Sequence, residues 1–298
     1  MKYGLLTMMR NKLCLCVAFL LTIALMSTPV QSEKFLRRVA FLAFAEDFWQ
    51  TFVMNEDGSG LKQITRSPVD KAHISWPSAR DSLLVNTNKG ELFMVNLITG
   101  REEKLDIGMR GMTDAACSQD GKKVLFSLSI ANSIDANDIW LVDIATQKRE
   151  RLTSMKHLQH DPAWSADEQH VVFLSGAGGQ SHDIWLLERK TKSLKQLTVG
   201  QLYHFDPACS SKGEIAFSSN RTGDYEIWVC DLAGQKFEQI THNAGLDAQP
   251  TWSPDGKQIV FVSTRGGKSA IWIVNRDGSH PRQLTPAHML CRAPAWSR

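Results

Sequence analysis

The sequence predicts an all-β protein, a six-bladed β-propeller with four antiparallel strands in each blade. Three observations support this prediction. A phrase made of "LT", a loop and "PxWS" recurs along the chain, its two parts lie at a constant distance, and each copy contains four short strand-like segments. Repeats of ~40–45 residues with four strands each are typical of propeller blades arranged around a central channel.

The repeat has six copies. In each copy, 11 residues separate the "LT" position from a second position that we call the Trp register. Successive Trp-register positions are 41, 47, 45, 43 and 44 residues apart. The six pairs are Thr65 and Trp76, Asp106 and Cys117, Thr153 and Trp164, Thr198 and Cys209, Thr241 and Trp252, and Thr285 and Trp296.

The final copy, "RAPAWSR", opens a unit that the sequence does not continue. Two residues follow Trp296, and residues 33 to 76 number 44, so joining the two gives a sixth period of 46 residues. We therefore expect Arg292–Arg298 to form the innermost strand of the blade that Val39 begins. This pairing would close the ring and remove two exposed sheet edges.

Residues 1–32 are predicted to be a secretory signal peptide. A basic head precedes the apolar run Leu13–Met26, and Val30 and Ser32 are small residues before a cleavage point at Glu33. This run of 14 residues is shorter than the ~20 needed to span a bilayer; an uncleaved anchor is the alternative. We expect a short lead-in at 33–38, a propeller at 39–298, a periplasmic location and no transmembrane segment in the mature chain.

The mature chain is expected to be electrically neutral. The whole sequence has 34 Lys and Arg against 31 Asp and Glu. Residues 1–32 contain three of the basic residues and no acidic ones, which leaves 31 of each sign. This balance gives no support to a nucleic-acid partner.

Segments such as "KQIVFVS" and "SAIWIVN" have the alternation and β-branched content of strands, and "SPDGK" and "NRDGS" are typical of tight turns. A large ring recurs at the "IW" position of every copy. We expect these rings to pack between blades; an aromatic platform for carbohydrate is the alternative. They are Phe52, Phe93, Trp140, Trp185, Trp228 and Trp272.

Four cysteines remain after signal removal, and their spacing matches no disulfide framework or zinc motif. Cys117 and Cys209 occupy the Trp register, and Cys230 aligns with valines of other copies, so we expect these three to be core residues. Cys291 is expected in a loop, where it could react or become oxidised.

The two ends of the predicted propeller differ. The first face carries the short turns that join the first strand to the second and the third to the fourth. The second face carries the longer loops between the second and third strands and the connections between blades. Functional residues favour loops on a rigid scaffold, so we assign recognition to the second face.

Polar residues recur three positions before the Trp register, where the innermost strand begins. We expect them to form a partner-binding rim at the channel mouth that holds a partner residue or a cation. The alternative is that each Asp bonds backbone amides of its own loop. The predicted rim consists of His73, Asp114, Asp161, Asp206 and Gln249, with His160, His204 and Asp247 beside them.

The sequence contains no GxSxG, HExxH, CxxC or glycine-rich phosphate motif. We therefore expect no catalytic residues and no cofactor. The His and Asp residues of the rim leave open a divalent metal site, since imidazole and carboxylate groups suit such ions.

The segment "ITHNAGLDAQPTWSPDGKQIVFVSTRGGKSAIWIVNRDGSHPRQLT" (Ile240–Thr285) closely resembles the propeller repeats of TolB, the periplasmic component of the Tol–Pal envelope system. Similar repeats occur in propeller domains of some peptidases and in oligogalacturonate lyases. The resemblance covers Val39–Arg298. TolB has an α/β domain before its propeller, whereas only Glu33–Arg38 separates the predicted signal from the first blade here.

The resemblance implies an exported, non-enzymatic, monomeric protein-interaction scaffold of the cell envelope. It also implies contact with a Pal-like lipoprotein through the rim residues that begin with His73. The alternative is a metal-dependent polysaccharide lyase of the oligogalacturonate type, or a propeller that binds a small ligand. A peptidase would need a separate hydrolase domain, which the sequence does not contain.

Overall fold

The structure, a computed structural model, describes residues 37–77, 81–129, 137–177, 182–200 and 202–297. Every regular element in these ranges is a β-strand. None of these residues forms a helix long and apolar enough to cross a membrane. The predicted signal peptide and residues 33–36 of the lead-in lie outside the described residues.

Six four-stranded antiparallel sheets form the six blades of the predicted propeller. From the innermost strand outwards, blade 1 contains β24 (Cys291–Trp296), β1 (Arg38–Ala45), β2 (Phe48–Asn55) and β3 (Lys62–Gln63). Blade 2 contains β4 (Lys71–Ser75), β5 (Ser82–Thr87), β6 (Leu92–Asn96) and β7 (Glu102–Lys104). Blade 3 contains β8 (Met112–Cys117), β9 (Lys123–Ser129), β10 (Asn137–Asp143) and β11 (Arg149–Arg151).

Blades 4 to 6 have the same order. Blade 4 contains β12 (Gln159–Trp164), β13 (His170–Ser175), β14 (Asp183–Glu188) and β15 (Leu194–Gln196). Blade 5 contains β16 (His204–Cys209), β17 (Glu214–Ser219), β18 (Glu226–Asp231) and β19 (Glu238–Gln239). Blade 6 contains β20 (Asp247–Trp252), β21 (Gln258–Ser263), β22 (Ala270–Asn275) and β23 (Arg282–Gln283).

The predicted ring closure is confirmed. β24 pairs antiparallel with β1, and Val39 lies opposite Trp296. The Arg38 N–H donates to Ser297 Oγ at 2.9 Å, and the Ser297 N–H donates back to the Arg38 carbonyl at 2.8 Å. The innermost strand of blade 1 therefore comes from the opposite end of the propeller sequence, as expected.

In five of the six blades, the recurring threonine of "LT" links the end of the outer strand to the third strand. Thr153 Oγ1 accepts the Ile139 N–H at 2.9 Å and donates to the Asp138 carboxylate at 3.2 Å. Such a link satisfies a buried N–H that would otherwise cost about 1–3 kcal/mol. The same bond to a third-strand N–H is made by Thr65, Thr198, Thr241 and Thr285.

The hydrophobic core lies in the seams between blades. Trp228 is only 8% exposed and belongs to a cluster that joins Leu197 of blade 4 to Phe217 of blade 5. Trp272 packs in the same way at the seam of blades 5 and 6. These contacts confirm inter-blade packing for the "IW" rings, each worth about 1.5–3 kcal/mol when fully buried.

Tight turns on the first face lock neighbouring blades together. Gly278, in the "NRDG" turn of blade 6, has a φ of 81°. A Cβ there would stand 2.7 Å from the Ile240 carbonyl oxygen of blade 5. Only glycine permits both this backbone conformation and this close approach.

Cys117, Cys209, Cys230 and Cys291 all lie within the described residues. Cys117 and Cys230 are buried, as predicted, whereas Cys209 is only partly buried. The prediction of a loop position for Cys291 is wrong, because this residue begins β24 and is fully buried. Burial raises the pKa of the Cys291 thiol to about 12, so it is not a reactive surface cysteine.

Candidate functional site

A β-bulge interrupts the innermost strand of every blade. In blade 4, for example, the pairing of β12 with β13 shifts register between His160 and Ala163. The bulged residue has left-handed backbone in five blades, with φ of 50–54° at Asp114, Asp161, Asp206, Gln249 and Ala293. Asp tolerates this conformation better than most residues, which is a local reason for its recurrence.

In each blade, one side chain at or directly after the bulge lines the channel. We call this set the inner ring. It borders a cavity of about 320 Å³ that extends to the turns of the first face, where Gln119, Ser211 and Pro254 line it. The inner ring consists of His73, Asp114, Asp161, Asp206, Gln249 and Ala293, so the structure brings together five of the eight residues of the predicted rim.

Part of the inner ring links successive blades. Asp206 Oδ2 accepts the backbone N–H of Gln249 at 3.2 Å, and Gln249 Oε1 accepts the N–H of Ala293 at 2.7 Å. The sequence left open a bond from each such side chain to its own loop. At Asp206 and Gln249 the bond is instead made to the next blade. Asp206 and Gln249 therefore have a structural role, because each of them joins two neighbouring blades.

Three carboxyl groups of the inner ring lie on adjacent blades. The Asp114 and Asp161 carboxyl groups lie close enough that each affects the pKa of the other. Burial and the charge of Asp161 raise the pKa of Asp114. Burial opposes ionisation of Asp161, but its hydrogen bond to His160 and the nearby charges of His160 and His73 lower its pKa. Of the two, Asp114 is therefore the more readily protonated.

The third carboxyl group, Asp206, titrates near neutrality. Burial and the charge of Asp161 raise the pKa of Asp206 to about 7. His160 Nδ1 lies 3.2 Å from Asp161 Oδ2. Burial alone would lower the pKa of His160, but the hydrogen bond to Asp161 and the charges of the three carboxyl groups raise it. The charge of this cluster therefore changes in the neutral pH range.

The prediction that His204 and Asp247 face the channel mouth is wrong. Both are fully buried and lie two positions before a bulge. His204 packs edge-on against Phe217 at 5.4 Å, and burial lowers its pKa to about 4. Asp247 accepts from Arg265 Nη2 at 2.6 Å and from Asn243 Nδ2 at 2.7 Å. His204 and Asp247 therefore support the second-face loops from within the core.

Sequence reasoning missed an aromatic surface beside the inner ring. We call it the aromatic rim, and it consists of His160, His182, Tyr203, Phe205 and Tyr225. Ring centroids of neighbouring members lie 5.0–5.8 Å apart. The only sequence signal was that both tyrosines of the mature chain fall here.

The second face also carries most of the exposed apolar surface. Nine large apolar side chains are exposed among the described residues, and six of them lie on this face. Leu61, Ile98 and Leu194 are the other three and lie at or beside first-face turns. The six are Phe44, Leu158, Val199, Tyr203, Leu246 and Leu290.

Within the described ranges, no group of three or more His, Cys, Asp or Glu side chains is arranged to hold a metal ion. The inner ring and aromatic rim instead present hydrogen-bonding, charged and apolar groups side by side. Such a combination is suited to recognition of another molecule on a rigid platform.

Comparison with known proteins identifies the repeats. Residues 180–298 match the TolB beta propeller domain family. The chain is 32% identical over 142 residues to a TolB homolog of Chlorobium chlorochromatii, covering 47% of this chain and 32% of that protein. The chain thus spans about a third of the length of this curated relative.

Solved structures give the same fold. TolB from Acinetobacter baumannii superposes with a TM-score of 0.77 at 22% identity, covering 88% of this chain and 66% of that one. A putative TolB from Agrobacterium tumefaciens gives a TM-score of 0.72 at 22% identity, covering 84% and 89%. An oligogalacturonate lyase in complex with manganese gives 0.58 at 12% identity, covering 82% and 73%, a likeness of fold alone.

Proposed function

The chain carries a TolB-like β-propeller, and on that premise we propose that it is an exported, non-enzymatic scaffold that binds a protein partner in the cell envelope. The observation that carries the proposal is the concentration of exposed apolar side chains on the second face, six of the nine among the described residues. Exposed apolar clusters rimmed by polar groups are typical of protein interaction sites.

The location follows from the predicted signal peptide at 1–32 and from the likeness to TolB. We place the protein in the periplasm as a monomer, with a Pal-like lipoprotein as the kind of partner that the likeness to TolB suggests. The neutral balance of the mature chain is consistent with a protein partner rather than nucleic acid.

The geometry suits recognition without large rearrangement. Six sheets closed into a ring hold the strand ends that border the second face in fixed relative positions. A partner that contacts these strand ends loses little free energy to ordering of the backbone, which otherwise subtracts from affinity. We assign direct contact to the inner ring and aromatic rim, and support of the loops to His204 and Asp247.

Co-purification from envelope extracts tests this function. The exported chain carrying a removable tag should retain one stoichiometric envelope protein, and His160→Ala combined with Asp206→Ala should reduce its recovery several-fold. Ile98→Ala, an exposed change on the first face, is the matched control and should leave recovery unchanged. Recovery of no partner, or equal recovery with all three proteins, would contradict the proposal.

A further inference from the structure

We propose that the second face recognises an extended protein segment in which a Lys or Arg stands beside an aromatic or aliphatic residue. The apolar residue lies on the aromatic rim, and the cationic side chain points to the carboxylates of the inner ring. This inference rests on the proposed function and specifies the chemistry of the partner.

The aromatic rim forms one continuous surface across blades 4 and 5. His160 meets His182 with ring centroids 5.0 Å apart, and His182 in turn lies 5.8 Å from Tyr203 and 5.5 Å from Phe205. Phe205 then contacts Tyr225 at 5.6 Å. The surface is therefore a single platform and not a set of scattered rings.

This platform is open to a partner. Tyr203 is 42% exposed. The platform extends towards Leu246, which is 43% exposed, because the neighbouring Asp247 N–H donates to the Tyr225 carbonyl at 2.8 Å. Exposed aromatic rings on rigid backbone lose little entropy on binding and are preferred contacts at interfaces.

The platform is physically joined to the inner ring. His160 belongs to the aromatic rim and bonds Asp161 of the inner ring at 3.2 Å, while Phe205 immediately precedes Asp206 in β16. A residue lying on the rim thus places its neighbour within reach of the carboxylates, since consecutive residues of an extended chain are ~3.3 Å apart.

The carboxyl groups of the inner ring have little basic compensation among the described residues. Among the described residues, no Lys or Arg forms an ion pair with Asp114, Asp161 or Asp206, and His160 is the sole ionic partner. Arg265 and the buried Lys71 pair with other carboxylates, Asp247 at 2.6 Å and Glu102 at 3.3 Å. A partner's Lys or Arg would supply the missing positive charge.

Charge complementarity distinguishes this occupant from a neutral one. A neutral sugar would use the aromatic rings but would leave the carboxylates uncompensated. A cationic side chain beside an apolar residue uses both features, and close opposite charges fix the register of a bound segment.

Selection of peptides from a random 12-residue phage library on the purified exported chain tests the proposal. Enriched sequences should contain Lys or Arg within about two residues of Trp, Tyr, Phe or Leu. The most enriched peptide, made synthetically, should bind about tenfold more weakly when its basic residue is replaced by norleucine. A similar loss is expected with the isosteric double variant Asp161→Asn and Asp206→Asn, and with Tyr203→Ala.

Ile98→Ala on the first face is the control and should not change peptide affinity. Failure to enrich any peptide, enrichment without basic residues, or affinity insensitive to Tyr203→Ala would overturn the proposal. If an envelope protein co-purifies through the second face while no basic peptide is selected, the scaffold function stands and this inference fails. If a basic peptide binds while no envelope protein co-purifies, this inference stands and the scaffold function fails.

Discussion

A disulfide across the ring closure would test the fold at its most informative point. Ala43 of β1 lies directly opposite Cys291 of β24, and both are fully buried. The adjacent Phe44 N–H donates to the Leu290 carbonyl, so the Ala43 and Cys291 pair is of the non-hydrogen-bonded type, with Cα atoms about 4.5 Å apart. That distance is within the range of natural disulfides. Ala43→Cys should therefore form a bond with the native Cys291 thiol.

The new bond would close a loop that includes all six blades, about 250 residues long, which in the chain-entropy description is worth about 5 kcal/mol. The extra sulfur enters a filled core and costs about 1–3 kcal/mol. We therefore expect a net gain of about 2–4 kcal/mol in the free energy of unfolding, or roughly 5–10 °C in Tm.

Thermal unfolding with and without reductant measures the gain, and peptide mapping identifies the linked cysteines. Ala43→Cys combined with Cys291→Ala is the control and should show neither link nor gain. A thiol that stays free under oxidising conditions, or that links to another cysteine, would show that β24 does not pair with β1 in this register.

Three further predictions concern single groups. Asp206→Asn should raise stability at pH 8 by about 4 kcal/mol, because ionising a group with native pKa about 7 penalises the fold above its unfolded pKa; denaturant titrations should show the gain vanish towards pH 4. Thr241→Val should cost about 1–2 kcal/mol in the same assay, since it strands a buried N–H and removes a bond to Glu226. Iodoacetamide at pH 8 should label Cys230 and Cys291 far more slowly in native than in unfolded protein, because each thiol is buried and has a pKa of about 12. Mass spectrometry measures the two labelling rates, and equal rates would contradict the burial of these cysteines.

The fold was accessible from the sequence because each blade repeats the same physical requirements. In five of the six blades a buried threonine accepts a third-strand N–H, and in blade 6 only glycine fits where Gly278 approaches Ile240. These needs leave residues at constant spacing. Ring closure followed from the spacing alone, since the Trp register at Trp296 needed three more strands to complete a blade.

The site was only partly accessible because the bulge is invisible in a single sequence. Along a regular strand, residues two positions apart share a face. By that rule, His204 would share the channel face with Asp206, and Asp247 would share it with Gln249, as we expected from the sequence. The left-handed backbone at the bulge, with φ of 53° at Asp206, reverses the side chain and separates each pair.

The aromatic rim depends on contacts that no local pattern encodes. His182 and Tyr203 meet through an isolated bridge between blades 4 and 5, and Tyr225 joins them from a different loop. Their positions within the repeat differ, so they do not recur from blade to blade. Only the assembled ring brings them together.

Site-specific photocrosslinking in the envelope tests recognition by the second face most directly. A benzoylphenylalanine introduced in place of Tyr203 reports on the second face, and one in place of Ile98 reports on the first face; both positions are exposed. We expect a discrete adduct with an envelope protein from the Tyr203 position and none from the Ile98 position. Adducts from Ile98 alone, or from neither position, would contradict recognition by the second face.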